Sequence, residues 1–222
     1  RGIIMQSSQT AKYNLIKIFE NYPDADSLFL ASEISDYEIA IVVNTTHSTT
    51  DSLQKSLQEI IRTIFSKLHR FPITVIGSSV KTPLEIHDSF AVAQKLQKYV
   101  FFLPDEKFIG SSELIEREHS SVVFDNSLME EFNKYLKMNN LEKVSAKLQQ
   151  ILKQMQNGNY SYNYCYRKLT DIVTQVSEYV RDLGIELRSL ESMTVHQQFH
   201  QIESIDAFEE WFTKLMQEAF NY

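Results

Sequence analysis

The stretch Pro72 to Leu103 constrains the fold most strongly, because a strand pattern runs directly into a helix pattern. β-branched residues such as Ile73 and Val75 follow the proline, which is typical of a strand. The run Thr82-Pro83-Leu84-Glu85 predicts a helix start, since the threonine and the glutamate can exchange hydrogen bonds with the backbone. Apolar residues then recur at helical spacing as far as Phe101. Such a strand and helix need further strands and helices to bury them, so the pattern predicts an α+β domain.

Strand and helix patterns alternate through residues 1–115. Their order, β-α-β-β-α-β-α-β, forms two βαβ-like halves around a hairpin and predicts a ferredoxin-like sheet covered by helices on one face. We expect one mixed sheet of four or five strands with Ile39–Val43 and Ile73–Val75 inside it, and the first of these segments is apolar throughout. The other predicted strands are Gly2–Met5, Leu28–Leu30 and Lys107–Ile109, and the other predicted helices are Ser8–Tyr22 and Leu53–Leu68.

After Ile115 the sequence changes character. Glu116–Ser121 is charged and polar, which indicates a linker over residues 116–126. Residues 127–222 are predicted to form a separate all-helical domain that begins with a second capping pattern, Ser127-Leu128-Met129-Glu130. Asn139-Asn140 is expected to end its first helix. The later helices are predicted at Leu141–Met155, Ser161–Leu183, Val195–Phe199 and from Ser204 onward.

Composition and charge limit the classes of function. The chain carries 22 basic and 29 acidic residues, for a net charge of −7, which is unfavourable for gripping phosphates directly. A single cysteine, Cys165, excludes an internal disulfide and a cysteine-rich zinc site. No apolar run approaches the ~20 residues of a membrane-spanning helix, and no signal peptide pattern opens the chain, so we expect a cytoplasmic protein without membrane contact. Because the chain starts at Arg1 rather than methionine, we expect a piece of a larger protein.

The predicted hairpin turn resembles a known family at one motif. Ser35-Asp36-Tyr37-Glu38-Ile39-Ala40-Ile41 occupies the place of the signature motif in GGDEF-type nucleotide cyclases. Glu38 and the apolar residues after it match, whereas Ser35 and Asp36 replace the two glycines and Tyr37 replaces the aspartate. Gly2–Met5 also lacks an aspartate that could hold a metal. Cyclase chemistry needs carboxylates around Mg²⁺ and a glycine turn beside the substrate, so the resemblance implies a degenerate domain without catalytic residues, metal or cofactor.

The whole arrangement is similar to the central region of Gram-positive AraC-type transcription regulators, which include response regulators with a receiver at the front. The segments that carry this resemblance are Leu84–Ala93 and Phe208-Glu209-Glu210-Trp211-Phe212. It implies a regulatory region between the protein's own N-terminal input domain and DNA-binding helices beyond Tyr222, so that DNA is contacted only by a domain outside this sequence. A homodimer is compatible with this arrangement. Phe208, Trp211 and Phe212 are candidates for the interdomain contact, although aromatic stripes of this kind belong more often to a core.

Two groups of residues carry alternative chemical hypotheses. His196 and His200 stand four residues apart, which can place two imidazoles on one helical face as metal ligands, but a surface pair fits the same spacing. Cys165 can be a nucleophile or redox sensor, or a small core residue. Two functions therefore remain: a non-enzymatic signal-coupling region of a transcription regulator, and a nucleotide-binding or diguanylate-cyclase-related signalling domain.

Overall fold

The computed structural model describes residues 9–23, 27–35, 38–46, 50–68, 73–105, 108–110, 112–184, 187, 190 and 193–221. The fold is α+β, as predicted, and helices account for most of it. The chain divides into two compact units. The first draws on Arg1–Thr74 and Ser79–Phe90, and the second on Val75–Ser78 and Ala91–Tyr222. The predicted strand Gly2–Met5 lies outside the described residues.

The first unit is built on an antiparallel hairpin between two helices in sequence. Its elements are α1 (Gln9–Glu20), β1 (Ser27–Glu33), β2 (Ile39–Thr45) and α2 (Thr50–Leu68). The register pairs Ser27 with Thr45, and their hydroxyl oxygens lie 2.8 Å apart. Phe29 is buried, with its ring 6.3 Å from that of Phe19 in α1. The predicted hairpin is therefore confirmed, and the helix before it packs on one face.

The predicted single sheet is not what the described residues form. Their four strands make two separate two-stranded sheets, β1 with β2 and β3 (Thr74–Val75) with β4 (Phe108–Ile109). Ile39–Val43 is only half-buried and pairs with β1 alone among these strands. The physical reason lies in strand length, because a strand of two residues offers too few backbone groups to hold a wide sheet. The β-branched residues after Pro72 predicted a strand correctly, but not its extent.

The segment after β3 confirms the predicted helix start. A 3₁₀ turn (Pro83–Glu85) leads into α3 (Ile86–Gln97) and a second 3₁₀ turn (Lys98–Phe101). The Glu85 carboxylate accepts hydrogen bonds from the backbone N–H groups of Lys81 (3.0 Å) and Thr82 (3.1 Å). These bonds, that from Lys81 foremost, lower the pKa of Glu85 because they favour the charged form. Of the predicted apolar stripe, Leu96 and Phe101 are buried, whereas Phe90 is 38% exposed.

The predicted linker is partly a helix. A short helix, α4 (Ser112–Glu118), extends into residues 116–126, and Arg117 within it is only 5% exposed. The capping pattern at Ser127 was wrong in detail. Ser127 is the first residue of the helix rather than its N-cap, which is Asn126, and the Ser127 N–H donates to Asp125 Oδ1 at 3.1 Å. The local charge pattern indicated exposure, whereas the tertiary contacts of Arg117 bury it.

The helical part of the second unit packs around one apolar core. Its helices are α5 (Ser127–Lys137), α6 (Leu141–Asn157), α7 (Tyr162–Leu183), α8 (Val195–Phe199) and α9 (Ile205–Phe220). The predicted helix boundaries hold where caps are local. Asn140 accepts from the Lys143 N–H at 3.1 Å, Ser204 accepts from the Ala207 N–H at 3.2 Å, and Gly184 ends α7 with φ +66°.

α5 and α7 run in the same direction, with α6 as the return connection. Near the start of both helices, the Phe124 N–H donates to the Tyr164 hydroxyl at 2.8 Å. Near their ends, the Tyr179 hydroxyl donates to Asn139 Oδ1 at 2.9 Å. Contacts at both ends can form only if the two helices are parallel. None of the described helices combines the length and the apolar character needed to cross a bilayer.

Candidate functional site

The hairpin turn uses its own backbone groups. Among the predicted motif positions Ser35, Asp36, Tyr37 and Glu38, the two central ones lie outside the described residues. The N–H groups of Ile34 and Ser35 donate to the Glu38 carbonyl at 3.0 and 3.3 Å, and the Glu38 N–H donates to the Ser35 carbonyl at 3.5 Å. These donors therefore close the turn itself. A phosphate that approached the backbone here would have to compete with those bonds.

The aromatic residues of α9 belong mainly to the core of the helical unit. Phe208 and Phe212 are fully buried, and their rings lie 6.2 Å apart. Trp211 is half-buried, and its indole N–H donates to Gln198 Oε1 at 2.7 Å, which ties α9 to the end of α8. Among the three, therefore, only Trp211 has surface that a further domain can reach without opening the core.

The two histidines make separate contacts with α7. His196 Nε2 lies 3.2 Å from Thr174 Oγ1, and that hydroxyl already donates to the Thr170 carbonyl at 2.9 Å. Because the hydroxyl carries a single proton, it can donate to the Thr170 carbonyl only when His196 Nε2–H donates to it, and that tautomer has no lone pair on Nε2 for a metal. His200 Nδ1 lies 3.5 Å from the Tyr166 hydroxyl. In the described part of the chain, no three His, Cys, Asp or Glu residues are placed to hold a metal ion.

Cys165 is buried in the helical core. Burial raises the pKa of its thiol to about 11, and the nearby Arg117 guanidinium offsets only part of that effect. Because the thiolate is the reactive form of cysteine, the thiol is protected at neutral pH. The position fits the core alternative rather than the nucleophile or redox sensor.

Arg117 is the buried polar centre that sequence reasoning missed. Its Nε–H donates to the Tyr160 carbonyl at 2.8 Å and its Nη1 to the Gln156 carbonyl at 3.0 Å, while Nη2 donates to the Met155 carbonyl. Two of these carbonyls belong to the last turn of α6, where the helix leaves acceptors without internal partners. Arg117 thus caps α6 from α4, and a guanidinium suits this because its donors fan out in one plane.

Tyr99 completes the same cluster from the other side. The guanidinium carbon of Arg117 lies 5.2 Å from the centre of the Tyr99 ring. The Tyr99 hydroxyl donates to the Glu118 carboxylate at 2.8 Å and accepts from the Tyr162 N–H at 2.9 Å. Burial, with a smaller effect of Glu118, raises the pKa of Tyr99. The cluster joins the segment after α3, the end of α6 and the start of α7, and each of its polar groups is engaged in that role.

The sequence carried one faint signal for this cluster. Arg117 is a lone cation between Glu116 and Glu118, and it follows Leu114 at helical spacing, which is compatible with a buried helix face. Its acceptors lie about forty residues later, however, and no local pattern announces them.

Comparison with known proteins adds no assignment, since no family model, curated protein or solved structure matches the chain at a significant level.

Proposed function

We propose that this chain is a non-enzymatic, signal-coupling region of an AraC-type transcription regulator, of the kind that includes response regulators of two-component systems. In this proposal it works in the cytoplasm without membrane contact, needs no cofactor and carries signals from an N-terminal input domain. DNA is read by helices that are not part of this sequence. The same proposal holds that the first unit has a ferredoxin-like fold and is related to degenerate GGDEF domains.

The observation that carries the proposal is the hairpin turn. Its sequence has Ser35 and Asp36 where the cyclase motif has glycines. The described N–H donors beside these positions close the turn instead of pointing at a ligand. A nucleotide-processing site needs the backbone open to phosphate and carboxylates for Mg²⁺. These features of the turn support a domain with a GGDEF-like fold and no nucleotide-cyclase activity.

The helical unit supplies features that suit a coupling role. Arg117 and Tyr99 fasten α4 and the segment after α3 to the corner between α6 and α7 through charge-assisted and buried hydrogen bonds. The Trp211 indole N–H fastens α9 to α8 through a neutral hydrogen bond to the Gln198 side chain. A unit held together by such contacts can move as one piece, which a mechanical link requires. The net charge of the whole chain, −7, supports a role apart from the DNA contact itself.

The direct test is calorimetric titration of this chain with GTP and Mg²⁺, with GTP alone as the control. We expect no heat of binding. A micromolar dissociation constant, about 8 kcal/mol of binding free energy, would favour the nucleotide-binding alternative and overturn the proposal. Fluorescence anisotropy with a labelled duplex should also show no binding that depends on salt concentration.

The coupling role is tested in a gene product that joins this region to DNA-binding helices. We expect Trp211→Ala to change the response of a reporter gene to its signal, while the recognised DNA sequence stays the same. Trp211→Phe keeps most of the ring packing and should have the smaller effect. A folded Trp211→Ala variant with normal regulation would contradict the coupling role.

A further inference from the structure

The end of α6 holds the single Asn-Gly pair of the sequence, Asn157-Gly158. An asparagine followed by glycine loses its side-chain amide more readily than other asparagines, because glycine leaves the next backbone nitrogen sterically open. That nitrogen attacks the side-chain carbonyl carbon of Asn157, a C–N bond forms, and ammonia leaves with the hydrogen of the backbone amide. Water then opens the resulting succinimide ring to aspartate or isoaspartate. Asn157 is exposed, so water has access to it.

Packing requires the glycine of this pair. A Cβ added at position 158 would lie 2.6 Å from the Gln154 carbonyl oxygen, and it would come closer still to the ring of Tyr160. That ring is fixed in turn by an edge-to-face contact with Phe124, with the two ring centres 4.3 Å apart. The chain therefore needs the small residue at the position where it makes the preceding asparagine chemically labile.

The helical bond at the end of α6 opposes the reaction. The Gly158 N–H donates to the Gln154 carbonyl at 2.8 Å. Attack on Asn157 requires the Gly158 nitrogen to give up this hydrogen and to turn toward the asparagine side chain, and the bond hinders both. Helix ends fray easily, however, so one bond in the last turn gives little protection alone.

The backbone on both sides of the pair is also held from outside the helix. Arg117 in α4 donates to the Gln156 carbonyl, directly before the pair, and to the Tyr160 carbonyl, two residues after it. The Ser120 hydroxyl donates to the Asn159 carbonyl at 2.6 Å. We call these contacts the α6 anchor. The last turn of α6 can open only if the α6 anchor opens with it.

We propose that Asn157 is a site of spontaneous deamidation whose rate is limited by opening of the α6 anchor. Reaction then proceeds through a local opening of this corner and does not require the whole unit to unfold. Isoaspartate adds one carbon atom to the backbone between the Gln156 and Tyr160 carbonyls, which changes the spacing that Arg117 spans. The modified corner therefore cannot close as before. This inference does not depend on the regulatory role, since it concerns only the helical unit.

Peptide mapping by mass spectrometry follows the reaction in the full chain, incubated in mildly alkaline buffer with and without urea. In urea, we expect Asn157 to react fastest of all the asparagines. In the folded chain its conversion should be at least about tenfold slower. Ser120→Ala removes one hydrogen bond of the α6 anchor and should speed conversion of the folded chain about three- to tenfold. Arg117→Met should speed it at least about tenfold.

Two control variants separate local opening from general destabilisation. Arg181→Met changes an exposed arginine of α7 and should leave the rate at Asn157 unchanged. Val180→Ala truncates a buried side chain near the far end of α7, so it lowers global stability without touching the α6 anchor. It should also leave the rate unchanged while circular dichroism shows a folded chain.

Three results would each overturn the proposal. The first is equal conversion of Asn157 in the folded chain and in urea. The second is an unchanged rate in Ser120→Ala, the milder variant, which decides the matter even if Arg117→Met fails to fold. The third is a Val180→Ala variant that reacts as fast as Ser120→Ala, because the reaction would then follow global unfolding.

Discussion

The guanidinium of Arg117 donates from Nε to the carbonyl of Tyr160 at 2.8 Å, across 43 residues of sequence. With the carbonyls of Gln156 and Met155 it forms the polar centre of the helical unit. The charge is buried, yet it is surrounded by the acceptors that the end of α6 would otherwise leave unpaired. Removing the guanidinium alone leaves its buried partners unpaired, and this lowers stability more than replacing all the partners by apolar groups of the same shape.

We therefore predict that Arg117→Met lowers the free energy of unfolding by at least about 3 kcal/mol, because buried carbonyls lose their donors. Arg117→Lys should have a free energy of unfolding between those of the wild-type protein and Arg117→Met, since a lysine keeps the charge but not the planar set of donors. Urea unfolding followed by the fluorescence of Trp211, the single tryptophan, reports on this unit. Arg181→Met, at an exposed position of α7, is the control and should change stability by less than about 0.5 kcal/mol. Equal effects at the two positions would show that Arg117 does not hold the unit together.

The burial of the Cys165 thiol predicts that the free energy of unfolding falls at alkaline pH. Its thiol ionises near 9.0 in the unfolded chain but near 11 in the folded one, so the unfolded state loses its proton first. This contribution to stability is complete below pH 9.0 and is lost as pH rises toward 11, by at most about 1.4 kcal/mol per pH unit. Cys165→Ala should remove that part of the slope, as measured by chemical unfolding with circular dichroism. Buried tyrosines contribute to the pH dependence of both proteins, so the test is the difference between the wild-type and Cys165→Ala curves of stability against pH. Parallel curves would show that the Cys165 thiol does not cause the slope.

The close approach of Gly110 to Ile76 predicts that a side chain at position 110 destabilises the protein. A Cβ added there would lie 2.5 Å from the Ile76 carbonyl oxygen and 2.7 Å from Ile76 Cβ. The Ile76 N–H meanwhile donates to the Ile109 carbonyl at 2.7 Å, so the two segments cannot separate freely. We expect Gly110→Ala to cost about 1–3 kcal/mol and to speed amide exchange at Ile76.

Gly184→Ala is the matched comparison, because nothing lies within 4 Å of a Cβ at that position. Its φ of +66° should cost only about 1 kcal/mol, and Gly184→Asn should cost less. If Gly110→Ala is no worse than Gly184→Ala and leaves exchange at Ile76 unchanged, the contact with Ile76 is not limiting.

The buried, unpaired side-chain oxygen of Gln175 predicts that an apolar residue at this position stabilises the protein. Its side-chain oxygen is buried in α7 without a hydrogen-bond partner. Gln175→Met keeps the length of the side chain and removes the unpaired group, so we expect stability to rise by about 1 kcal/mol. Gln149→Met, on the surface of α6, loses its bond to Glu209 and should not stabilise. Thermal unfolding of both variants makes the comparison, and a loss of stability in Gln175→Met would mean that the amide has a partner in solution.

The parts of the fold that sequence analysis predicted are those set by nearby residues. The hairpin turn, the helix start at Glu85, the helix break at Asn139-Asn140, the cap at Ser204 and the glycine end of α7 depend on contacts within a few residues. Such features follow from backbone geometry and local donors, so a single sequence reveals them. The apolar character of α9 likewise predicted its burial.

The failures share the opposite cause. The extent of β3 and β4 depends on how two distant segments pair, and their apolar residues do not encode it. Arg117 was assigned to a linker because its neighbours are charged, while its acceptors lie far along the chain. At the candidate site, the loss of the glycine motif was visible in the sequence. The use of the turn's own N–H groups by Glu38 and Ser35 was not.

The parallel arrangement of α5 and α7 has a consequence for how the chain folds. The contacts Phe124–Tyr164 and Tyr179–Asn139 each close a loop of 40 residues, and Ser120–Asn159 closes one of 39. Loop-closure entropy depends on length, and contacts that share one loop do not each incur it again. Once α6 has brought any one pair together, the others follow at little further entropic cost. The helical unit should therefore acquire these contacts in one kinetic step, which begins when α6 turns the chain back on itself.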